Sequence, residues 1–143
     1  MVTDLGHAAF KARDVRKSLE FYELLGIREA FRLNHEDGSL MLVYLHVSGD
    51  RFIEVFPGGS TPSVGQDQSY MHVCLLVDEL CGLVDTLREK GVSIEAEPKL
   101  GLDNNQQAWI RDPDGNAIEL MQLSDESLQR RISRSRSDQS SSI

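Results

Sequence analysis

The order of apolar and polar positions divides the chain into two stretches that carry the same succession of elements. Residues 5–12 alternate as a short strand. Asp14 then stands as a cap before Val15, Leu19, Tyr22 and Leu25, whose spacings of three and four make one apolar helical stripe. Gly26 ends that helix, because glycine takes the left-handed conformation that closes a last turn without steric cost. Residues 27–33, 40–47 and 51–56 read as strands, separated by turn-forming runs at 34–38 and 48–50. The predicted order is β-α-β-β-β.

A segment rich in Gly, Pro, Ser and Gln follows, and beyond it the pattern starts again. Residues 70–77 predict a strand, and Asp78 precedes an apolar helix that ends near Lys90 and Gly91. Residues 92–97, 106–111 and 116–123 predict three further strands, the last entered through the turn Asp112-Pro113-Asp114-Gly115. The expectation is an α+β chain made of a first βαβββ module at 1–57, a linker at 58–69 and a second βαβββ module at 70–123. Residues 124–143 form a polar tail in which Arg130, Arg131, Arg134 and Arg136 alternate with serines. Its start, 124–128, is suited to cap a short helix, and the rest has little to bury.

The length of 143 residues suits one ordinary domain or two small fused modules, and 40% hydrophobic with 27% charged residues places the chain among folded, soluble proteins. A formal net charge of −8 repels a phosphate backbone, which removes nucleic acid as a partner. The start lacks a basic residue run followed by an apolar one, and no stretch reaches the roughly 20 apolar residues that span a bilayer, so no membrane partner and a cytoplasmic location are expected. Two cysteines, Cys74 and Cys81, give no disulfide framework. Cys74 lies two positions from His72, where a nucleophile is conceivable, but a buried inert thiol is the commoner case.

The repeat extends to individual residues. Phe52-Ile53-Glu54-Val55-Phe56 matches Ala117-Ile118-Glu119-Leu120-Met121, and the first strands match through His7 and His72; His and Glu are 47 positions apart in both halves. A lone histidine on a strand is usually a satisfied core or surface residue, and a lone glutamate usually faces solvent. Two of each at matched positions are a different matter. A carboxylate set among aliphatic and aromatic neighbours is costly unless a cation meets it, so His7, Glu54, His72 and Glu119 are expected to hold one divalent ion. Two imidazoles and two carboxylates suit nickel, cobalt or zinc, with iron or manganese as alternatives, better than magnesium or calcium. Four protein ligands on an octahedral ion leave two positions for adjacent substrate oxygens, a Lewis-acid arrangement for an enolate or ene-diolate.

With those residues in view, the chain resembles the vicinal oxygen chelate superfamily (glyoxalase, bleomycin resistance, dioxygenase), and within it the short bacterial glyoxalase I enzymes (lactoylglutathione lyases). The segments that carry the likeness are Gly6-His7, Ser18-Leu19-Glu20-Phe21-Tyr22 leading to Leu25-Gly26, Ile53-Glu54-Val55, Met71-His72-Val73, and Asp112-Pro113-Asp114-Gly115-Asn116 leading to Ile118-Glu119-Leu120. The resemblance implies paired modules that form an incompletely closed, barrel-like sheet around the metal, in a homodimer whose site draws on one chain or two. It implies proton transfer in the thiohemiacetal of a 2-oxoaldehyde and glutathione or another thiol, through a metal-stabilised ene-diolate, with Glu119 or Glu54 as base and Glu119 favoured. Short glyoxalases carry Arg four residues after the first ligand and Asn four after the second, both at the glutathione end. Lys11 and Gly58 stand there here, and Lys11 remains a substrate-binding candidate as a point charge.

Other members of the superfamily mark the alternatives. Extradiol dioxygenases and thiol-transfer resistance enzymes use a His, His, Glu set, against which Glu54 argues. CoA-ester epimerases usually carry Gln at the place of Glu54. Small-molecule binding and resistance proteins without catalysis generally lack the ligands.

Overall fold

The computed structural model describes residues 1–60 and 70–140, the last five of them by backbone alone; most of the linker expected at 58–69 and the serine-rich end at 141–143 lie outside the described residues. The first module holds β1 (His7–Ala12), α1 (Val15–Leu24), β2 (Arg28–Asn34), β3 (Leu40–Ser48) and β4 (Arg51–Pro57). The second holds β5 (Val73–Leu76), α2 (Leu80–Glu89), β6 (Ile94–Leu100), β7 (Gln106–Arg111) and β8 (Ala117–Gln122), followed by α3 (Leu128–Ser140). The order predicted from the sequence pattern is therefore present twice.

Each module forms its own four-stranded mixed sheet, with strand orders β1-β4-β3-β2 and β5-β8-β7-β6, and among the described residues no hydrogen-bonded ladder closes them into a barrel. In the first, β1 runs parallel to β4 while β4, β3 and β2 are antiparallel. The second repeats this with β5 parallel to β8. The reason lies in the connections: a tight turn joins antiparallel strands, whereas β1 and β5 each hand the chain to a helix before it returns.

One face of each sheet is a core. Val43, Leu45, Ile53 and Val55 are buried with Phe21 and Tyr22 of α1, which packs on β2 and β4. Ala108, Ile110, Ile118 and Leu120 are buried with Leu80, Val84 and Leu87 of α2. Because side chains alternate along a strand, the residues between these belong to the other face, and both glutamates fall there. The helix ends follow the sequence with one shift. Asp14 accepts from the Lys17 amide at 3.2 Å, but Glu79, the residue after Asp78, caps α2 by accepting from the Gly82 amide at 2.8 Å. Gly26 and Gly91 take φ of +76° and +84° just past the two helices.

Two compact units are present, one made of Met1–Tyr70 with the turn Asp112–Asn116, the other of the remaining described chain from Met71. The turn at 112–116 groups with the first unit although it lies inside the stretch 70–123 expected to form the second module. Asp112 explains it. Oδ1 accepts from the Asp114 and Asn116 amides, both at 2.9 Å, and Oδ2 accepts from the Asn116 side chain at 2.8 Å and the Tyr22 hydroxyl at 3.3 Å. Asp114 accepts from the Arg13 amide at 2.9 Å and from the Ser18 hydroxyl at 3.3 Å, so the turn is fastened to the start and middle of α1. Burial, reinforced by Asp112, holds the Tyr22 phenol well above the ordinary tyrosine range.

The tail differs from expectation. In place of a short helical start, α3 runs from Leu128 to Ser140. Its beginning is anchored by fully buried Asn105, which donates to Asp103 at 2.8 Å and Gln129 at 2.9 Å and accepts from the Ser124 amide at 3.1 Å. Arg131 pairs with Glu126 at 2.6 Å and Arg134 with Asp125 at 3.2 Å, contacts that composition alone does not reveal. Among the described residues no helix is long and apolar enough to cross a membrane.

Candidate functional site

In the first module the face away from α1 carries His7, Ala9 and Lys11 on β1, opposite Phe52, Glu54 and Phe56 on β4. From the other side Tyr44 of β3 stands opposite Glu54, and His46 opposite Phe52. Glu54 is only 6% exposed, and His7 Nδ1 lies 3.6 Å from its Oε1. The polar influence of the Glu54 carboxylate, with some loss of hydration, raises the Tyr44 phenol above its ordinary range. Phe31 stacks on the Tyr44 ring at 4.4 Å between centroids and Phe52 meets it edge-on at 5.9 Å.

The second module repeats the arrangement with different neighbours. Glu119 is again 6% exposed, and its Oε2 lies 3.3 Å from His72 Nε2. His72 sits one residue before β5, which begins at Val73 and is shorter than the strand predicted from 70 to 77. Trp109 of β7 and Cys74 of β5 both stand opposite Glu119. The indole meets the His72 ring edge-on at 4.8 Å. Cys74 corrects the expectation of a buried thiol: the residue is exposed, yet its sulfur loses hydration beside Glu119, and the two effects together push the thiol up to about 12. It stays protonated at neutral pH. That makes it a poor nucleophile.

The four candidate ligands thus occur as two His–Glu pairs, one in each module. Among the described residues no group of three or more His, Cys, Asp or Glu side chains converges on a metal position. The donor chemistry nevertheless fits a divalent ion. Both carboxylates are nearly buried, each has one imidazole within 3.6 Å, and neither has a lysine or arginine partner among the described residues. An ionised carboxylate in that setting is costly without a positive partner.

Lys11 borders a cleft of about 480 Å³ that is also lined by Gly58, Ser60, Tyr70 and Asn116. Beside it the chain crosses itself closely. The Gly59 amide donates to the Ala12 carbonyl at 3.0 Å, and a Cβ at position 59 would lie 2.6 Å from the Lys11 carbonyl oxygen.

Tyr44 and Trp109 are the neighbours that sequence reasoning missed. The signal existed, since His7 and His72, Glu54 and Glu119, and Tyr44 and Trp109 are all 65 positions apart. Strand register, invisible before folding, decides that these two aromatic residues and not others flank the carboxylates.

Comparison with known proteins agrees with the duplicated fold. A probable lactoylglutathione lyase of Synechocystis is 28% identical over 123 residues, covering 82% of this chain and 94% of that protein. One from Vibrio cholerae is 26% identical, covering 81% and 88%. Among solved structures, a glyoxalase family protein from Enterococcus faecalis superposes with a TM-score of 0.68 at 22% identity, covering 82% of this chain and 96% of that one. The trypanothione-dependent glyoxalase I of Leishmania major does so with 0.69 at 23%, covering 98% and 97%. These structural likenesses establish the fold. The family model that matches residues 4–120 spans both sheets and all four candidate ligands, and by it the chain belongs to the Glyoxalase/Bleomycin resistance protein/Dioxygenase superfamily.

Proposed function

We propose that the protein is a metal-dependent lyase of the glyoxalase I type, which moves a proton between adjacent carbons of the thiohemiacetal formed by a 2-oxoaldehyde and a thiol. One observation carries this reading: Glu54 and Glu119 are buried at equivalent places of two modules, each beside an imidazole and, among the described residues, neither paired with a lysine or arginine. His7, Glu54, His72 and Glu119 form the ligand set for one divalent ion, with nickel, cobalt or zinc ahead of iron and manganese. When bound, that ion supplies a Lewis acid for the negative charge that develops as the substrate becomes an ene-diolate.

The chain's own residues do the rest. Glu119 takes the proton from the carbon that bears sulfur and returns it to the neighbouring carbon, so the product is the isomeric S-2-hydroxyacyl thioester and no atom is gained or lost. His7 and His72 each fix the carboxylate beside them. Lys11, which has no anionic partner among the described residues, meets the acidic end of the thiol at the cleft it borders. The names of the Synechocystis and Vibrio cholerae relatives support glutathione as that thiol. The Leishmania major neighbour makes trypanothione the thiol to compare with it. The working form is a cytoplasmic homodimer.

The test is metal analysis of the purified protein, then reloading of chelated protein with nickel, cobalt, zinc, manganese or iron. Thioester formation from methylglyoxal with glutathione or trypanothione is followed by absorbance. About one ion per chain and ion-dependent thioester formation are expected. Absence of bound metal together with no turnover for any ion would overturn the reading.

A further inference from the structure

We infer that Ser133 on α3 is a phosphoacceptor for an ATP-dependent serine kinase with an acidic substrate groove, and that the phosphate it receives is seated on Arg130. The inference goes beyond the metal-dependent reading above and does not depend on it. It concerns the alternating arginines and serines of the tail, which the sites on the two sheets leave unused.

Charge sets this segment apart. In a chain of net charge −8, residues 128–140 hold Arg130, Arg131, Arg134 and Arg136 against Asp138, a net charge of +3. The serines within it are not equivalent. Ser133 has Arg130 and Arg131 three and two places before it, whereas Ser135 has Ile132 and Ser133 there, and Ser137 has Arg134 and Ser135. Two guanidiniums just before a hydroxyl offer an acidic groove two charge-assisted contacts that align the hydroxyl with a bound nucleotide. In this segment Ser133 alone offers both.

The attachment of α3 leaves that serine reachable. The helix is anchored at its first turn, where the Leu128 amide donates to the Asp103 carbonyl at 3.2 Å and Asn105 donates to Gln129 at 2.9 Å. Leu128 and Ile132, one turn apart, are both exposed, so no buried apolar stripe holds the turns that follow. A helix of this length without such support is marginal in water, and the extended form that a kinase groove takes costs little to reach. Ser133 itself is exposed, and its hydroxyl donates to the Arg130 carbonyl at 3.2 Å, a local bond that opening exchanges for water.

The product finds a receptor in place. Arg130 and Ser133 lie three positions apart and share a helix face. Arg130 is 3.4 Å from Asp125 and Arg134 is 3.2 Å from the same carboxylate oxygen, so one exposed carboxylate serves two guanidiniums. A phosphate of charge about −2 on the next turn draws Arg130 away from it. In the transfer, the Ser133 oxygen bonds to the γ-phosphorus of ATP and the bond from that phosphorus to the bridging oxygen breaks. ADP leaves with the electron pair, and the hydroxyl proton passes to the base of the kinase.

The full chain is incubated with magnesium, ATP and the catalytic subunit of cAMP-dependent protein kinase, a probe with such a groove, and modified sites are located by fragmentation mass spectrometry. Ser133→Ala and the double variant Arg130→Gln with Arg131→Gln are treated in parallel. The parent should take one phosphoryl group at Ser133, S133A should take none on α3, and the double variant should react at least about 10-fold more slowly. A phosphorus-31 titration of the modified protein then reads the seat: on Arg130 the phosphate should ionise below its ordinary second pKa of about 6, and Arg130→Gln should return the midpoint toward that value. A parent left unmodified where a short arginine-rich control peptide is fully modified, or equal modification of α3 in S133A, would overturn Ser133 as acceptor. The same midpoint with and without Arg130 would overturn the seat.

Discussion

Replacing Glu119 with Gln should have opposite effects on turnover and on the stability of the metal-free protein. The change is nearly isosteric, so packing on β8 is retained and only charge and basicity are lost. General base catalysis contributes about 10²- to 10⁴-fold, equivalent to about 3–5 kcal/mol of barrier, so kcat should fall by that factor. Stability moves the other way. Glu119 is 6% exposed, has no lysine or arginine partner among the described residues, and is offset only by His72 at 3.3 Å and the Cys74 thiol. Removing one poorly compensated buried charge should stabilise the metal-free chain by about 1–2 kcal/mol, which at this size raises Tm by about 2–8 °C. Thioester formation in metal-loaded protein and thermal unfolding in excess chelator read the two effects. A variant that turns over at near-parental rates removes Glu119 as base. A metal-free variant that melts below the parent shows that the site is satisfied without a cation and refutes the electrostatic reasoning behind it.

Three other outcomes follow from the surroundings of the site. Asp112→Ala leaves the Asp114 and Asn116 amides and the Tyr22 hydroxyl without their acceptor, which should cost about 3–4 kcal/mol in urea unfolding; a loss below about 1 kcal/mol would show that the turn does not depend on that carboxylate. The Tyr22 phenol is held above the 10.0 of an ordinary tyrosine, so the unfolded chain sheds its proton first. That contribution is complete below about pH 10 and declines as pH rises beyond it, and Tyr22→Phe should flatten the alkaline slope of the unfolding free energy, a change absent if the phenol is not buried against Asp112. Iodoacetamide should label Cys74 slowly at pH 8 in native protein and faster toward its pKa of about 12; rapid labelling at pH 8 would mean that loss of hydration beside Glu119 does not keep the thiol protonated.

Much of the fold was legible because its signals are local. The stripe of Val15, Leu19 and Tyr22 behind Asp14 needs only helical geometry, and the second helix repeats it. The two Glu positions were legible because a carboxylate inside an apolar strand contradicts its surroundings wherever that strand ends up. What could not be read depends on contacts between distant positions. The turn at Asp112 looks like any Asp-Pro turn until Tyr22, 90 positions earlier, donates to it. Composition marks the tail as polar, yet α3 forms because Asn105 and the acids at 125 and 126 pair with it. Tyr44 and Trp109 stayed hidden for the same reason, since only register places them beside Glu54 and Glu119.

The close crossing at Gly59 limits how this protein can be retuned. A side chain there would strike the backbone of β1 rather than another side chain, at 2.6 Å from one carbonyl oxygen, and no rotamer relieves such a collision. Retuning the cleft beside Lys11 is therefore barred from that position, and also from Gly58, whose φ of +84° disfavours any side chain, and must work through positions such as Ser60. In a mutagenesis library, position 59 should return glycine alone among stable clones while position 60 diversifies.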